Sequence, residues 1–508
     1  MLIGGSRQLS EVVGDVVSSA PAKSHLAERL LLLFGWGLVS APTTQWLAEG
    51  AVLDGVEHAR VKDLASLGSS GAHKNNCRRD LFRKFCANVQ VPRAISLSVP
   101  ILGKDLKPFW NTASIVSLPA LVDVLYRKHT GVFDAIFGTN PREFWDQVSA
   151  SDPKMLHLRS MTEVVGWKDK LYPYILHGDA GQYTQKTKDS LMCAQIKGLL
   201  GTRFNFNILP LFCMPKRCKA YIDDGVTQQD LFGRLWKQSV AFLNDMFWGV
   251  WPTSDIDGRD FSGDNPFVGD GGSPPCRGEA RFVLWGITGD LEFLSDDLGI
   301  AHYNSNEPCW HCPISRSPES GHCLTDLRMD APWKRARLDP TVRLSPHVVF
   351  DIYGCTRHHV VGDLMHSGYL GQVQFMLGGT LYELIHDGPF AGVKDDRIAA
   401  LWRRICDWYG VLVSPTRLGN LKESMFTCKN GFHILSSKAA EAGDLLIVMV
   451  SLAGELSSGS PRDLHRLAAL KSLATVFRVF KDGELFCRTL RSHWQNVLMT
   501  STWYIING

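Results

Sequence analysis

Four short segments carry residue types that could do chemistry. His177-Gly-Asp-Ala-Gly181 directly follows the apolar run Leu171–Leu176, which reads as a strand. A carboxylate that ends a strand beside small residues projects from a sheet edge where a metal can reach it. The plainer reading of Asp179 is a turn former. Asp290 likewise follows a second apolar run, Arg281–Thr288. Two carboxylates on neighbouring strands repel when both are ionised, so the pair makes sense with a cation between them. Cys309-Trp-His-Cys312 has the spacing of a zinc half-site, which holds two thiolates about 3.5–4 Å apart around one metal. A redox pair is its alternative. His311, His322 and Cys323 are nearby as further ligands. Asp363-Leu-Met-His366 places an oxygen and a nitrogen on one face of a helix-like run, for one metal or for a hydrogen bond between them.

The elements that must position these groups are read from pattern. A chain of 508 residues suits two or three domains, and 45% hydrophobic with 21% charged residues is the composition of core-forming chains. A net charge of +3 is too small to imply a polyanionic partner, so any such argument rests on local basic patches. Thirteen scattered cysteines, an odd count, favour a reducing compartment in which clustered thiols bind metal. No secretory leader is expected from MLIGGSRQLSEVVGD, and the apolar stretch Leu30–Val39 is too short to span a membrane.

Residues 1–95 are predicted helical, closing on the basic cluster Lys74, Arg78, Arg79, Arg83 and Lys84, either a solvated face or a phosphate contact. Residues 96–165 read as a linker or small helical unit. Strands follow at Leu171–Leu176, Ser190–Leu200 and Phe204–Cys213. Then come an amphipathic helix within Gln228–Trp248, a loop over Pro252–Gly278, and the strand Arg281–Thr288. Three strands, a helix and a fourth strand is the order in which an RNase H-like sheet assembles, although many α/β domains share it. Residues 313–346 read as a long loop with Lys334, Arg335, Arg337 and Arg343 near its end, and 355–500 as mostly helical.

Taken in order, LHGDAGQY, LWGITGDLEFLSDDLGIAHYNSNEPCWHC and VGDLMHSGYLGQVQFMLGGTLYEL resemble the transposases of the CACTA/En-Spm type, in the Chapaev–Mirage–CACTA superfamily. The resemblance spans residues 170–445, is specific in the last two blocks, and is looser in the first, which reads D-A-G where the family has D-G. It implies an α/β fold: an RNase H-like core with a mixed five-stranded sheet (166–300), a mostly helical zinc-binding insertion (301–375), and a helical remainder (376–508). It also implies a catalytic triad of acids, Asp179, Asp290 and Glu441, holding two Mg²⁺ or Mn²⁺ ions. Glu383 and Glu423 compete for the third position. Cys309, Cys312, Asp363 and His366 would hold a structural Zn²⁺. The implied partner is DNA, both transposon ends and target, met in the nucleus by a dimer or higher oligomer. Basic segments at Arg78–Lys84, Lys216–Lys219 and Lys334–Arg337 are candidate backbone contacts. The ending STWYIING is expected of a truncated or decayed copy, so the alternative is a catalytically inactive, domesticated protein that binds DNA or uses zinc for interaction. A zinc hydrolase built on His358, His359 and His366 lacks an H-E-x-x-H element.

Overall fold

The computed structural model describes residues 24–35, 39–69, 76–77, 79–81, 92, 94–182, 189–201, 208–223, 228–261, 273–302, 304–412, 414, 416–429 and 431–482. They fall into two compact units, residues 1–288 with 340–360, and residues 289–339 with 361–508. The sequence-based boundaries lie at 300 and 375. Residues 340–360 return to the first unit, where Val360 bridges Ile287 in parallel and Tyr353 N–H donates to Asn244 Oδ1 at 2.7 Å.

The first unit opens with α1 (His25–Gly35), α2 (Ala41–Leu53) and α3 (Ala59–Ala65), as the periodicity predicts. Ser40 caps α2 by accepting from Thr43 N–H at 3.2 Å, and Ala27, Leu30, Ala48, Val61 and Leu64 form a small core. Residues 96–165, read as a linker or small helical unit, combine strand and helix. They hold most of an antiparallel hairpin, β1 (Ala94–Leu102) and β2 (Pro108–Val116), then α4 (Leu118–Lys128), α5 (Thr130–Phe137) and α6 (Pro141–Gln147). The alternation of Ile95, Leu97 and Val99, all buried, is the period-2 signal of β1.

The main sheet is made of β3 (Leu171–Gln182), β4 (Ser190–Gly198), β5 (Ile208–Pro215) and β8 (Arg281–Gly289), in the order β5–β4–β3–β8. Among the described residues it has four strands, where five were expected. Between β5 and β8 lie the short pair β6 (Tyr221–Asp223) and β7 (Gln228–Asp230), and α7 (Leu231–Trp248). Asp230 caps α7 by accepting from Gly233 N–H at 2.8 Å, and Gly249 closes it with φ of 67°. Leu231, Leu235, Val240, Leu243 and Phe247 are buried along α7, the face that the helical spacing marks. β3 also runs further than its apolar core suggests. Ladder pairing with β4 carries it through His177–Gln182, so the expected turn is strand.

Two histidines of this unit are held well below the usual imidazole range. His359 is 3% exposed and accepts at Nδ1 from Thr356 N–H at 3.0 Å. Burial, reinforced by the charge of Lys154, pulls its basicity down to about 3, and burial holds His347 down to about 4. Both fold neutral. The unfolded chain therefore takes up protons first as pH falls below about 6.5, at a cost of about 1.4 kcal/mol per pH unit for each histidine. Urea unfolding is expected to lose roughly 1–3 kcal/mol of stability between pH 6.5 and 5. In His359→Gln the loss should be visibly shallower; an equal slope would exclude His359 as its source.

In the second unit, residues 301–339 are mostly irregular, not helical, with Pro332–Arg335 a single helical turn. Turns hold the segment: Ser315 N–H donates to His322 O at 2.9 Å and Arg316 N–H to Asn306 O at 2.8 Å. A wide π-helical stretch, α8 (Leu364–Val373), leads into α9 (Gln374–His386). Next come α10 (Lys394–Val411), the hairpin β9 (Phe426–Lys429) and β10 (Phe432–Leu435), α11 (Ala439–Glu455) and α12 (Pro461–Asp482). Their core is Leu377, Leu381, Leu401, Ile405, Leu445, Leu446, Leu452 and Leu470. Among the described residues, no helix is long and apolar enough to cross a membrane.

The Gly378-Gly379 pair in α9 separates into two roles. A Cβ on Gly378 would stand 2.3 Å from His433 O, whereas one on Gly379 would meet nothing within 4 Å. Gly378→Ala should cost about 1–3 kcal/mol by forcing β10 away from α9. Gly379→Ala should be neutral or gain up to about 1 kcal/mol through helix propensity. Thermal melts of the two variants test this, and similar melting temperatures would contradict it.

Candidate acidic and metal sites

Asp179 lies at an exposed position towards the end of β3. On β4 the residues Met192, Ala194 and Ile196 are buried, and Cys193, Gln195 and Lys197 face the other way. Asp179 stands directly across from Cys193, and its side chain is exposed. Two residues earlier His177 Nδ1 contacts Gln195 Nε2 at 3.2 Å. Asp290 is the first residue after β8, the strand beside β3. Its Oδ1 accepts from Phe293 N–H at 2.6 Å, so it caps the turn that follows while its second oxygen keeps lone pairs to offer.

Glu441 occupies the third position of α11, where Oε2 accepts from Lys438 N–H at 2.9 Å. Its two competitors are held by cations. Glu383 accepts from Arg462 Nη2 at 2.7 Å and from Arg466 Nε at 3.0 Å, and Glu423 pairs with Lys394. The Arg466 side chain is only 9% exposed and that of Glu383 14%, so removing Glu383 takes away the closer of two carboxylates that neutralise a buried guanidinium and leaves it Asp463 at 3.0 Å. Glu383→Ala should therefore destabilise the protein by roughly 2–4 kcal/mol. Glu441→Ala should cost only about 0.5–1 kcal/mol, the value of a helix-end interaction. Urea midpoints of the two variants decide the order, and the reverse order would make Glu441 the structural residue.

Cys309 and Cys312 are brought together. Their thiols share a hydrogen bond, and the backbone N–H groups of His311 (3.3 Å) and Cys312 point at Cys309 Sγ while that of Ile314 points at Cys312. The Cys312 hydrogen bond, with help from those amides and the charge of Arg337, brings the Cys309 thiol down to about 6. Cys312 is pushed up in turn by the same shared proton. A loop whose amides converge on two sulfurs favours thiolate, the form that binds a metal. In the same irregular segment, His322 Nδ1 is buried with no hydrogen-bond partner. The donor set fits half of a zinc site.

Asp363 and His366 meet as the i, i+3 spacing predicts. Asp363 caps α8 by accepting from Met365 N–H at 2.8 Å at Oδ1, while Oδ2 pairs with His366 Nδ1. This is the plainer of the two readings. Among the described residues no group of three or more His, Cys, Asp and Glu side chains is placed to hold a metal. The structure thus forms the pairs Cys309–Cys312 and Asp363–His366 but does not join them. His359, a candidate of the hydrolase reading, is committed to its bond with Thr356.

The basic segments divide as well. Lys334 is buried and donates to Leu327 O at 2.8 Å and Arg328 O at 2.7 Å, so it holds the loop and does not face a polyanion. Arg335 and Arg337 are exposed, as are Arg217 and Lys219. Lys74, Arg78, Arg83 and Lys84 lie outside the described residues. Sequence reasoning missed the alignment of Cys193 and Cys213 beside Asp179, which period-2 spacing within β4 and β5 could have suggested only once the register was known. Comparison of the chain with protein-family models, curated proteins and solved structures finds no match.

Proposed function

We propose that the chain is a DDE transposase-like polynucleotidyl transferase whose sheet is the core of an RNase H-like domain. The observation that carries this reading is the strand order β5–β4–β3–β8, with α7 preceding β8, Asp179 on β3 and Asp290 immediately after the adjoining β8. One acid on a strand and another just past the end of its neighbour have little use in a protein that only binds DNA, since carboxylates repel phosphate unless a cation intervenes. Asp179, Asp290 and Glu441 would hold Mg²⁺ or Mn²⁺, which when bound activates a hydroxyl nucleophile and neutralises charge on the leaving oxygen. Hard carboxylate oxygens suit these ions better than thiols do. The exposure of Asp179 leaves its carboxylate reachable by a phosphodiester. Cys309 and Cys312 would hold Zn²⁺ away from this chemistry, completed by Asp363 and His366 or by His322. Arg217, Lys219, Arg335 and Arg337 would contact the DNA backbone, and a dimer or higher oligomer acting in the nucleus would hold paired ends.

The full chain incubated with supercoiled plasmid should nick it in Mg²⁺ or Mn²⁺ and not in Ca²⁺. Salt-sensitive DNA binding without nicking in either ion would replace this reading with the inactive, domesticated one.

A further inference from the structure

The main sheet carries a second reactive pair beside Asp179. Cys193 on β4 and Cys213 on β5 are direct cross-strand partners, and their sulfurs lie 2.6 Å apart. Directly opposed residues of antiparallel strands have Cα atoms about 4.5–5.5 Å apart, within the span of roughly 4.4–6.8 Å that a disulfide requires. Two thiolates on one tetrahedral zinc would stand about 3.7 Å apart, given Zn–S bonds near 2.3 Å. The contact therefore suits a sulfur–sulfur bond better than a shared metal. Both side chains are reachable, since Cys213 is exposed and Cys193 half-buried. Cys193 also faces Asp179 on its other side, so the three residues form one row across β3, β4 and β5.

We propose that Cys193 and Cys213 are a reversible dithiol–disulfide site oxidised by small-molecule disulfides such as glutathione disulfide. The Cys213 thiolate attacks one sulfur of the oxidant, forming a mixed disulfide and releasing one glutathione thiolate. Cys193 gives its proton to solvent and attacks the Cys213 sulfur, which forms the cross-strand bond and expels the second glutathione. Two protein thiols lose two electrons, and one glutathione disulfide becomes two glutathiones. Cys213 is exposed and Cys193 half-buried, so Cys213 meets the oxidant first and Cys193 resolves. The pairing does not depend on Asp179 being catalytic.

The test treats the full-length protein with glutathione disulfide, blocks remaining thiols with iodoacetamide, and maps the peptides by mass spectrometry. Cys193 and Cys213 should be lost from alkylation together and appear as one crosslinked peptide, with both recovered after dithiothreitol. In Cys193→Ser the glutathione adduct on Cys213 should accumulate several-fold over wild type, because its resolving thiol is gone. Circular dichroism confirms that the serine variant is folded, and Cys193→Ala serves if it is not. The proposal is overturned if Cys193 and Cys213 remain fully alkylated while Cys406 and Cys428 acquire glutathione. It is equally overturned if either pairs with another cysteine, or if Cys193→Ser shows no more adduct than wild type.

Discussion

Asp179→Asn and Asp290→Asn are each expected to reduce metal-dependent nicking of DNA by roughly a thousandfold or more, with DNA binding retained or slightly tightened. The size follows from the chemistry. Losing a charged group that holds a catalytic cation removes stabilisation of the developing negative charge, which is worth several kcal/mol in a phosphoryl transfer. Binding moves the other way because a carboxylate near the phosphates is replaced by a neutral amide. Asn is nearly isosteric, and Asp179 is exposed, so the fold should be unaffected there. At Asp290 the amide oxygen can still accept from Phe293 N–H, which preserves the cap. Asp179→Cys adds a readout that a structural role would not move: a softer ligand should shift residual activity from Mg²⁺ towards Mn²⁺. Normal nicking in Asp179→Asn would remove it from the catalytic set. Normal nicking in both would defeat the two-metal proposal.

Cys309→Ser should release bound zinc and loosen residues 301–339. The purified protein is expected to carry about one Zn²⁺ per chain by elemental analysis. The effect should be large because structural zinc contributes on the order of 10 kcal/mol to small folded sites. It acts here on a segment with a single helical turn, held otherwise by turns. Limited proteolysis of Cys309→Ser should therefore cut within 301–339 at least ten times faster than in wild type. Folded wild-type protein that contains no zinc would rule the site out. The remaining ligands follow from two further variants. Zinc lost in His366→Ala joins the Asp363–His366 pair to the knuckle, whereas zinc kept there and lost in His322→Ala assigns the buried, unpartnered Nδ1 of His322.

The local elements and their chemical candidates were legible in the sequence because they depend on neighbours in the chain. The face of α7, the helices α1 to α3, the Asp363–His366 pair and the Cys309–Cys312 loop all arise from contacts within a few residues. What lay at long range was not legible. The hairpin β1–β2 was hidden because its short alternating pattern competes with a linker reading in a stretch with prolines. β3 outran its apolar core because the pairing of His177–Gln182 with β4, and not the polarity of those residues, decides where a strand ends. The same register set Asp179, Cys193 and Cys213 in one row, although 34 positions separate the first from the last in the chain. Tertiary structure alone also decided that Glu383 is tied to Arg466 from a helix far along the sequence, and that Lys334 is buried under its own carbonyl ligands. Residue types and spacing could determine which groups were able to do chemistry. Only strand register and packing, which depend on distant partners, decided what each group faces.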